Sequence, residues 1–144
     1  MDALRENAPR GRRVLATLAV TLTIALAGCS STGIDPALTT AVTDAVSSGA
    51  SAQLGLELAQ DDRILRGTLT ALLGDMADEL ATAEYSLEMH QPADRADARY
   101  REQALASVRA SLEAVHVAQG GDQAAGLDAL TDSVEDLRAL EDEG

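Results

Sequence analysis

Apolar and small residues recur along this chain at alternating steps of three and four. From Leu38 the series runs through Val42, Ala45, Gly49, Ala52, Leu56 and Ala59. That spacing keeps one face of a helix in register with a neighbour, as in the seam of a bundle or coiled coil. Asp35 is placed to cap this helix, and Pro36 fits its first position. The run Val46-Ser47-Ser48-Gly49-Ala50-Ser51 weakens helix propensity but lets a neighbouring helix come close. A second series follows at Leu65, Leu69, Leu72, Met76, Leu80, Ala83 and Leu87, with Arg66, Thr70, Asp78, Glu84 and Glu88 pointing outward. Gln91-Pro92 stops it, because proline disfavours helix in the residue before it. Ala93-Asp94 opens a third helix, with a seam of Ala98, Leu105, Val108, Leu112 and Val115. Arg101 interrupts that seam and is read as snorkelling near the bundle end. Gly120-Gly121 terminates the third helix and Asp122 caps the fourth, whose seam is Leu127, Leu130, Val134 and Leu137 with Leu140 beside it. Residues 141–144 read as a frayed acidic tail.

No segment alternates with period two over five or more residues, so no sheet is expected. Short turns between consecutive helices imply antiparallel neighbours, and the fold class is all-α, an up-down-up-down four-helix bundle. Gln60-Asp61-Asp62 is read as ending the first helix and capping the second, and it is the least defined boundary because no Pro or Gly enforces a turn there. The alternative is that the first two helices fuse into one long kinked helix. The core is Leu, Val and Ala, with no Phe or Trp in the chain. Counted from the turn at Pro92, the two tyrosines, Tyr85 and Tyr100, fall at similar heights on adjacent helices and are expected at one end of the bundle, in contact.

Ahead of the helical part, Arg5, Arg10, Arg12 and Arg13 precede an apolar stretch from Val14 to Gly28. That stretch is 15 residues long, short of the roughly 20 that span a bilayer. It ends in Leu26-Ala27-Gly28-Cys29, and Cys29 is the only cysteine in the chain. A basic segment, an apolar segment and small residues before a cleavage point make a secretory signal. With Leu at −3, Ala at −2, Gly at −1 and Cys at +1, the segment resembles the lipobox of bacterial lipoproteins. By that resemblance residues 1–28 are a signal peptide and Cys29 receives a diacylglyceryl group on its sulfur. Residues 29–34 are then a Ser/Thr/Gly tether of at most about 20 Å, and residues 35–144 are the bundle domain. Arg12-Arg13 resembles part of a twin-arginine signal, but Leu15-Ala16-Thr17 stands where that motif continues, so the pair reads as plain charge on a general secretion signal.

Removing residues 1–28 leaves seven Arg, no Lys and 22 acidic residues, a net charge of −15. Nucleic-acid binding needs a basic footprint, which this segment lacks. Electrostatic docking on anionic lipids is disfavoured for the same reason. A lone cysteine excludes a disulfide within the chain. Abundant Ala, Arg, Asp, Gly and Leu without Lys fits a high-GC bacterial genome, and the mature part resembles the small helical lipoproteins of such bacteria.

Candidate chemistry is sparse. Glu113-Ala114-Val115-His116 is a Glu-x-x-His on a helix, the unit that di-iron bundles use in pairs. Here there is one copy, and Glu113 follows the seam residue Leu112, which turns it about 100° away from the core. His90 sits at a helix end near Glu88, Asp94 and Asp97, a set that invites comparison with a loose copper or zinc site. The bundle outline and the Gly-Gly-Asp turn resemble cytochrome b562-type bundles. That family's haem ligands have no counterpart at Leu38 and Val42 or after His116, so haem is not carried over. No nucleophile motif or phosphate-cradling loop is present. Leu54, Leu58 and Leu73 lie outside the strict seams and are read as widening the apolar stripe toward neighbouring helices. Exposed together they would instead form a docking patch.

The sequence therefore predicts a lipoprotein anchored by Cys29 to the cell membrane on its extracytoplasmic face. The expected role is a non-catalytic interaction or adaptor module of the cell envelope. No catalytic, metal or cofactor residue is assigned. The expected partners are the membrane, reached through the lipid on Cys29, and an envelope protein. A metal- or small-ligand-binding lipoprotein is the alternative.

Overall fold

The structure is a computed structural model that describes residues 33–144, and Gly33–Gly144 forms one compact unit. Residues 1–28, read above as a signal peptide, and residues 29–32, read as the lipidated cysteine and the first part of a tether, lie outside the described residues. Among the described residues there are four helices and no strand: α1 (Pro36–Gln60), α2 (Arg66–Met89), α3 (Arg95–Gln119) and α4 (Gln123–Glu143). At 1.5 Å per residue each runs about 30–37 Å. Each helix packs on the next and α4 returns to α1, which closes an antiparallel four-helix bundle. α1 and α3 also touch across the diagonal, whereas α2 and α4 stay apart. Small buried residues on α1 bring its other neighbours close: a Cβ at Gly49 would meet Val134 of α4, and one at Gly55 would meet Leu72 of α2.

Three helix starts follow their sequence signals. The Asp35 carboxylate accepts from Ala37 N (2.8 Å), with Pro36 at the first helical position. Asp94 accepts from Ala96 N and Asp97 N, and Asp122 from Ala125 N. The fourth start departs from expectation. Neither Asp61 nor Asp62 caps α2; the residue before it is Leu65, which makes no side-chain cap bond and is 79% exposed. Leu65 is therefore not the first seam residue of α2. Ile64 and Leu69 take that place, in the two positions of a hydrophobic staple, and both join the core.

α1 and α2 are separate helices, and the break is a Schellman motif built without glycine. Arg63 N donates to Leu58 O (2.8 Å) and Asp62 N to Ala59 O (3.2 Å), with Asp62 at φ +56°. The same pair of bonds ends α3, from Asp122 N to Val117 O and from Gly121 N to Ala118 O, with Gly121 at φ +108°. Left-handed backbone is open to glycine at no steric cost and strained for other residues. Asp62 supplies by strain what Gly121 supplies freely.

The seam of α1 is as expected. On α2 it runs through Leu73 and Ala77, with Leu72 and Met76 half-buried beside them. A bundle helix has two neighbours and needs a stripe wider than a two-stranded seam. Leu72 reaches α1 over Gly55, where a Cβ would collide with its Cδ2. On α3 the expected seam holds at Val108 and Val115, but at its other three positions the buried residue is the one before. Ala98 is exposed, and the buried series is Asp97, Tyr100, Ala104, Ser107, Ser111, Ala114 and Ala118, with Val108 and Val115. Leu105 and Leu112 flank it, half-buried. The centre of this face is small and hydroxylic because α3 lies close to both α1 and α4. Ser111 at its centre is bonded both within α3 and to Ser133 of α4. Ser111 Oγ lies 3.0 Å from Ser107 O and 2.9 Å from Ser133 Oγ, and Ser133 Oγ lies 3.1 Å from Leu130 O. The two tyrosines lie toward the same end of the bundle, as expected, but they share no core contact. Tyr100 is 3% exposed, whereas Tyr85 points outward and is 62% exposed.

Candidate functional site

The richest polar chemistry lies at the end of the bundle where the chain enters α1. There α2 ends, α3 begins and α4 ends. Asp97 is its centre. This carboxylate is 5% exposed, and its two oxygens accept from Asp35 N (3.0 Å) and Ala93 N (3.3 Å). Asp97 stands three residues after the Asp94 cap, where an acid ordinarily reaches back to the cap's own N–H. Here it accepts instead from Ala93 N, one residue before the cap, and from Asp35 N at the start of α1, fixing the direction from which residues 33–34 arrive. The first turn of a helix also favours a negative charge.

Arg101 and His90 complete the cluster. Arg101 Nη1 donates to His90 O (2.8 Å), which holds the last turn of α2 against α3. The expected snorkelling is thus a specific C-terminal cap. His90 Nε2 is 3.7 Å from Asp35 Oδ2, too far for a hydrogen bond. Among the described residues three buried side-chain polar atoms lack a partner, His90 Nε2, Tyr100 OH and Arg101 Nε, and all lie at this end. The Tyr100 phenol is pushed up from its usual value, first by burial and then by the charges of Glu141 and Glu143. Beside it a surface cleft of about 290 Å³ is lined by Ile34, Arg99, Tyr100, Gln103 and Glu143.

The metal set imagined around His90 is not assembled. The oxygens of Asp97 are engaged by backbone N–H groups, and one oxygen of Asp94 serves Ala96 and Asp97. Among the described residues no group of three or more His, Cys, Asp or Glu side chains is placed to hold a metal ion. Glu113 and His116 are both exposed on α3, away from the core. Arg109, on the same helix, crosses to α2, where it bridges Glu84 (2.6 Å) and Glu88. Those two hydrogen bonds raise the pKa of its guanidinium.

The three leucines outside the strict seams separate. Leu73 is buried, Leu58 is half-buried and Leu54 is 56% exposed, so they form no joint patch. The large exposed apolar side chains are Leu54 and Leu65 toward the α1–α2 turn, and Tyr85 and Met89 toward the opposite end. No helix among the described residues is long and apolar enough to cross a membrane. No family model, curated protein or solved structure matches this chain.

Sequence reasoning placed caps at Asp35, Asp94 and Asp122 but missed the buried role of Asp97. Its signal was the acid three residues after Asp94, at the third helical position. Nothing in the sequence pointed to Asp35 N as the second partner, because that contact joins positions 62 residues apart.

Proposed function

We propose that this chain is the precursor of a bacterial lipoprotein, lipidated on Cys29. Its helical bundle acts outside the cytoplasmic membrane as a non-catalytic interaction or adaptor module of the cell envelope. The observation that carries this reading is the sole cysteine at the +1 position of Leu26-Ala27-Gly28-Cys29, behind a basic and then an apolar segment too short to span a bilayer. The short stretch between Cys29 and Asp35 fits a domain held close to the membrane. A net charge of −15 beyond residue 28 keeps such a domain dispersed between partners.

Intact mass of the protein extracted from membranes tests the anchor. The expected species begins at Cys29 and carries a diacylglyceryl group, and a Cys29→Ala variant stays uncleaved or leaves the membrane fraction. An unmodified Cys29, or normal processing of the variant, refutes it. Crosslinking in native membranes, with Cys29→Ala as control, then tests the adaptor role; a stoichiometric protein lost in the control is the expected result.

A second reading, binding of a small polar ligand, is favoured by one observation. The unpartnered Tyr100 hydroxyl is buried at the edge of the cleft that Arg99 and Gln103 line. A thermal-shift screen in which hits vanish with Tyr100→Phe would support it.

A further inference from the structure

The exposed residues of α2 include Asp75, Asp78, Glu79 and Glu88, and along them runs one narrow stripe of low charge. Ala71, Gly74, Asp78, Thr82, Tyr85 and Met89 follow one another there at steps of three and four, with a single acid among them. The stripe turns apolar at one end, where Tyr85 and Met89 are 62% and 64% exposed. They are one turn apart and share a surface. His90 follows Met89 and approaches Asp35 at 3.7 Å, so the chain enters the domain beside this pair. Six residues lead from Cys29 to Asp35, at most about 20 Å of extended chain. A lipid on Cys29 therefore keeps a bilayer within reach of Met89.

We propose that the lipid surface itself covers this patch, with Tyr85 and Met89 resting in the interfacial layer of the membrane that the Cys29 lipid anchors. The inference rests on the lipoprotein reading above. A tyrosine, apolar in its ring and polar at its tip, suits the level of the headgroups. Methionine is flexible and apolar and adapts to an irregular surface. The acids nearest the pair, Glu84 and Glu88, are engaged by Arg109. The contact is apolar in kind, since the net negative charge of the domain opposes attraction to anionic headgroups.

Two methionines follow residue 28, Met76 and Met89. They lie on one helix, about 20 Å apart along its axis, and Met76 is half-buried. The test is methyl NMR of the mature lipidated protein, labelled at methionine and bound to phosphatidylcholine vesicles that carry a headgroup spin label. The expected result is loss of the Met89 signal with Met76 retained, and recovery of Met89 in Tyr85→Ser. Equal effects on both methyls, no effect on either, or an unchanged Met89 in Tyr85→Ser overturns the inference. If intact mass shows the lipid on Cys29, the lipoprotein reading survives that failure; a mass without lipid overturns both.

Discussion

Replacing Gly126 by alanine should destabilise the bundle, whereas the same replacement at Gly74 should stabilise it. Gly126 lies in the first turns of α4, where the helix crosses α3. A Cβ there would sit 2.7 Å from Ala118 Cβ, 2.8 Å from Ala114 O and 2.9 Å from Ala118 N. Two of these atoms are backbone and cannot rotate away. To restore ordinary contact the helices must part by about 0.6 Å. Overpacking of this kind costs about 1–3 kcal/mol, and a clash with backbone belongs near the top of that range. Parting α3 and α4 also stretches the Ser111–Ser133 bond, worth about 1 kcal/mol. Against this, alanine gains about 0.5–1 kcal/mol over glycine within a helix. The balance is a loss of about 3 kcal/mol, or a drop in Tm of more than about 10 °C for a domain of this size. Gly74 has nothing within 4 Å of its would-be Cβ, so Gly74→Ala keeps only the gain of about 0.5–1 kcal/mol. Urea unfolding followed by far-UV circular dichroism measures both, without need of a tryptophan. If Gly126→Ala proves as stable as the parent while Gly74→Ala shows its gain, the α3–α4 approach described above is wrong.

Asp97→Ala should lower stability by about 2–4 kcal/mol, because it strands the Asp35 and Ala93 N–H groups; amide exchange should accelerate at those two residues, and unchanged rates would count against the clamp. Asp62→Gly should raise stability by about 1 kcal/mol through relief of left-handed strain, and Gly121→Ala should lower it by a similar amount, both read from urea midpoints. Leu65→Ser should give α2 the cap it lacks and add about 1 kcal/mol while removing an exposed leucine. Tyr100 has a raised pKa in the folded state, so the folded chain holds its phenolic proton longer than the unfolded chain. The resulting stability is complete below the ordinary phenol range and is lost as pH rises through the folded pKa. Ultraviolet titration should show one tyrosine component above that range, absent in Tyr100→Phe, and the variant should lose the alkaline decline in stability that this group causes.

Much of the fold was legible because helix ends carry local chemistry. Asp35-Pro36, Asp94, Gly120-Gly121-Asp122 and the stop at Pro92 all act within a few residues of themselves, and each appears where the sequence put it. The misreadings share one cause. Leucines mark a buried face only where that face holds large side chains, and the buried face of α3 is built from small ones. Its innermost positions are Ala104, Val108, Ser111, Ala114 and Val115, with Ser111 bonded to Ser107 O one turn back and to Ser133 on α4. A pattern based on leucine therefore settled on Leu105 and Leu112, which only flank the core. Leu65 misled in the opposite way, as an apolar residue in the right phase standing one step before the helix begins.

The polar residues of the core divide the bundle into two regions with different demands. In the middle, Ser111 and Ser133 have two hydroxyl protons for three close contacts. One arrangement satisfies them in series: Ser111 donates to Ser133, and Ser133 donates to Leu130 O. Sliding α4 by a single residue breaks the Ser111–Ser133 bond, a loss of about 1 kcal/mol, while each hydroxyl keeps a carbonyl of its own helix, Ser107 O or Leu130 O. Ala-rich faces constrain register weakly, because their side chains are nearly interchangeable, so the serine pair and the Gly126 contact set the alignment of α3 with α4. At the tether end the partners are instead main-chain groups of different helices, joined through Asp97 and Arg101. That arrangement fixes where the chain enters the bundle. On the lipoprotein reading proposed above, that is also the end nearest the anchor, and the unpartnered atoms of His90, Tyr100 and Arg101 lie there.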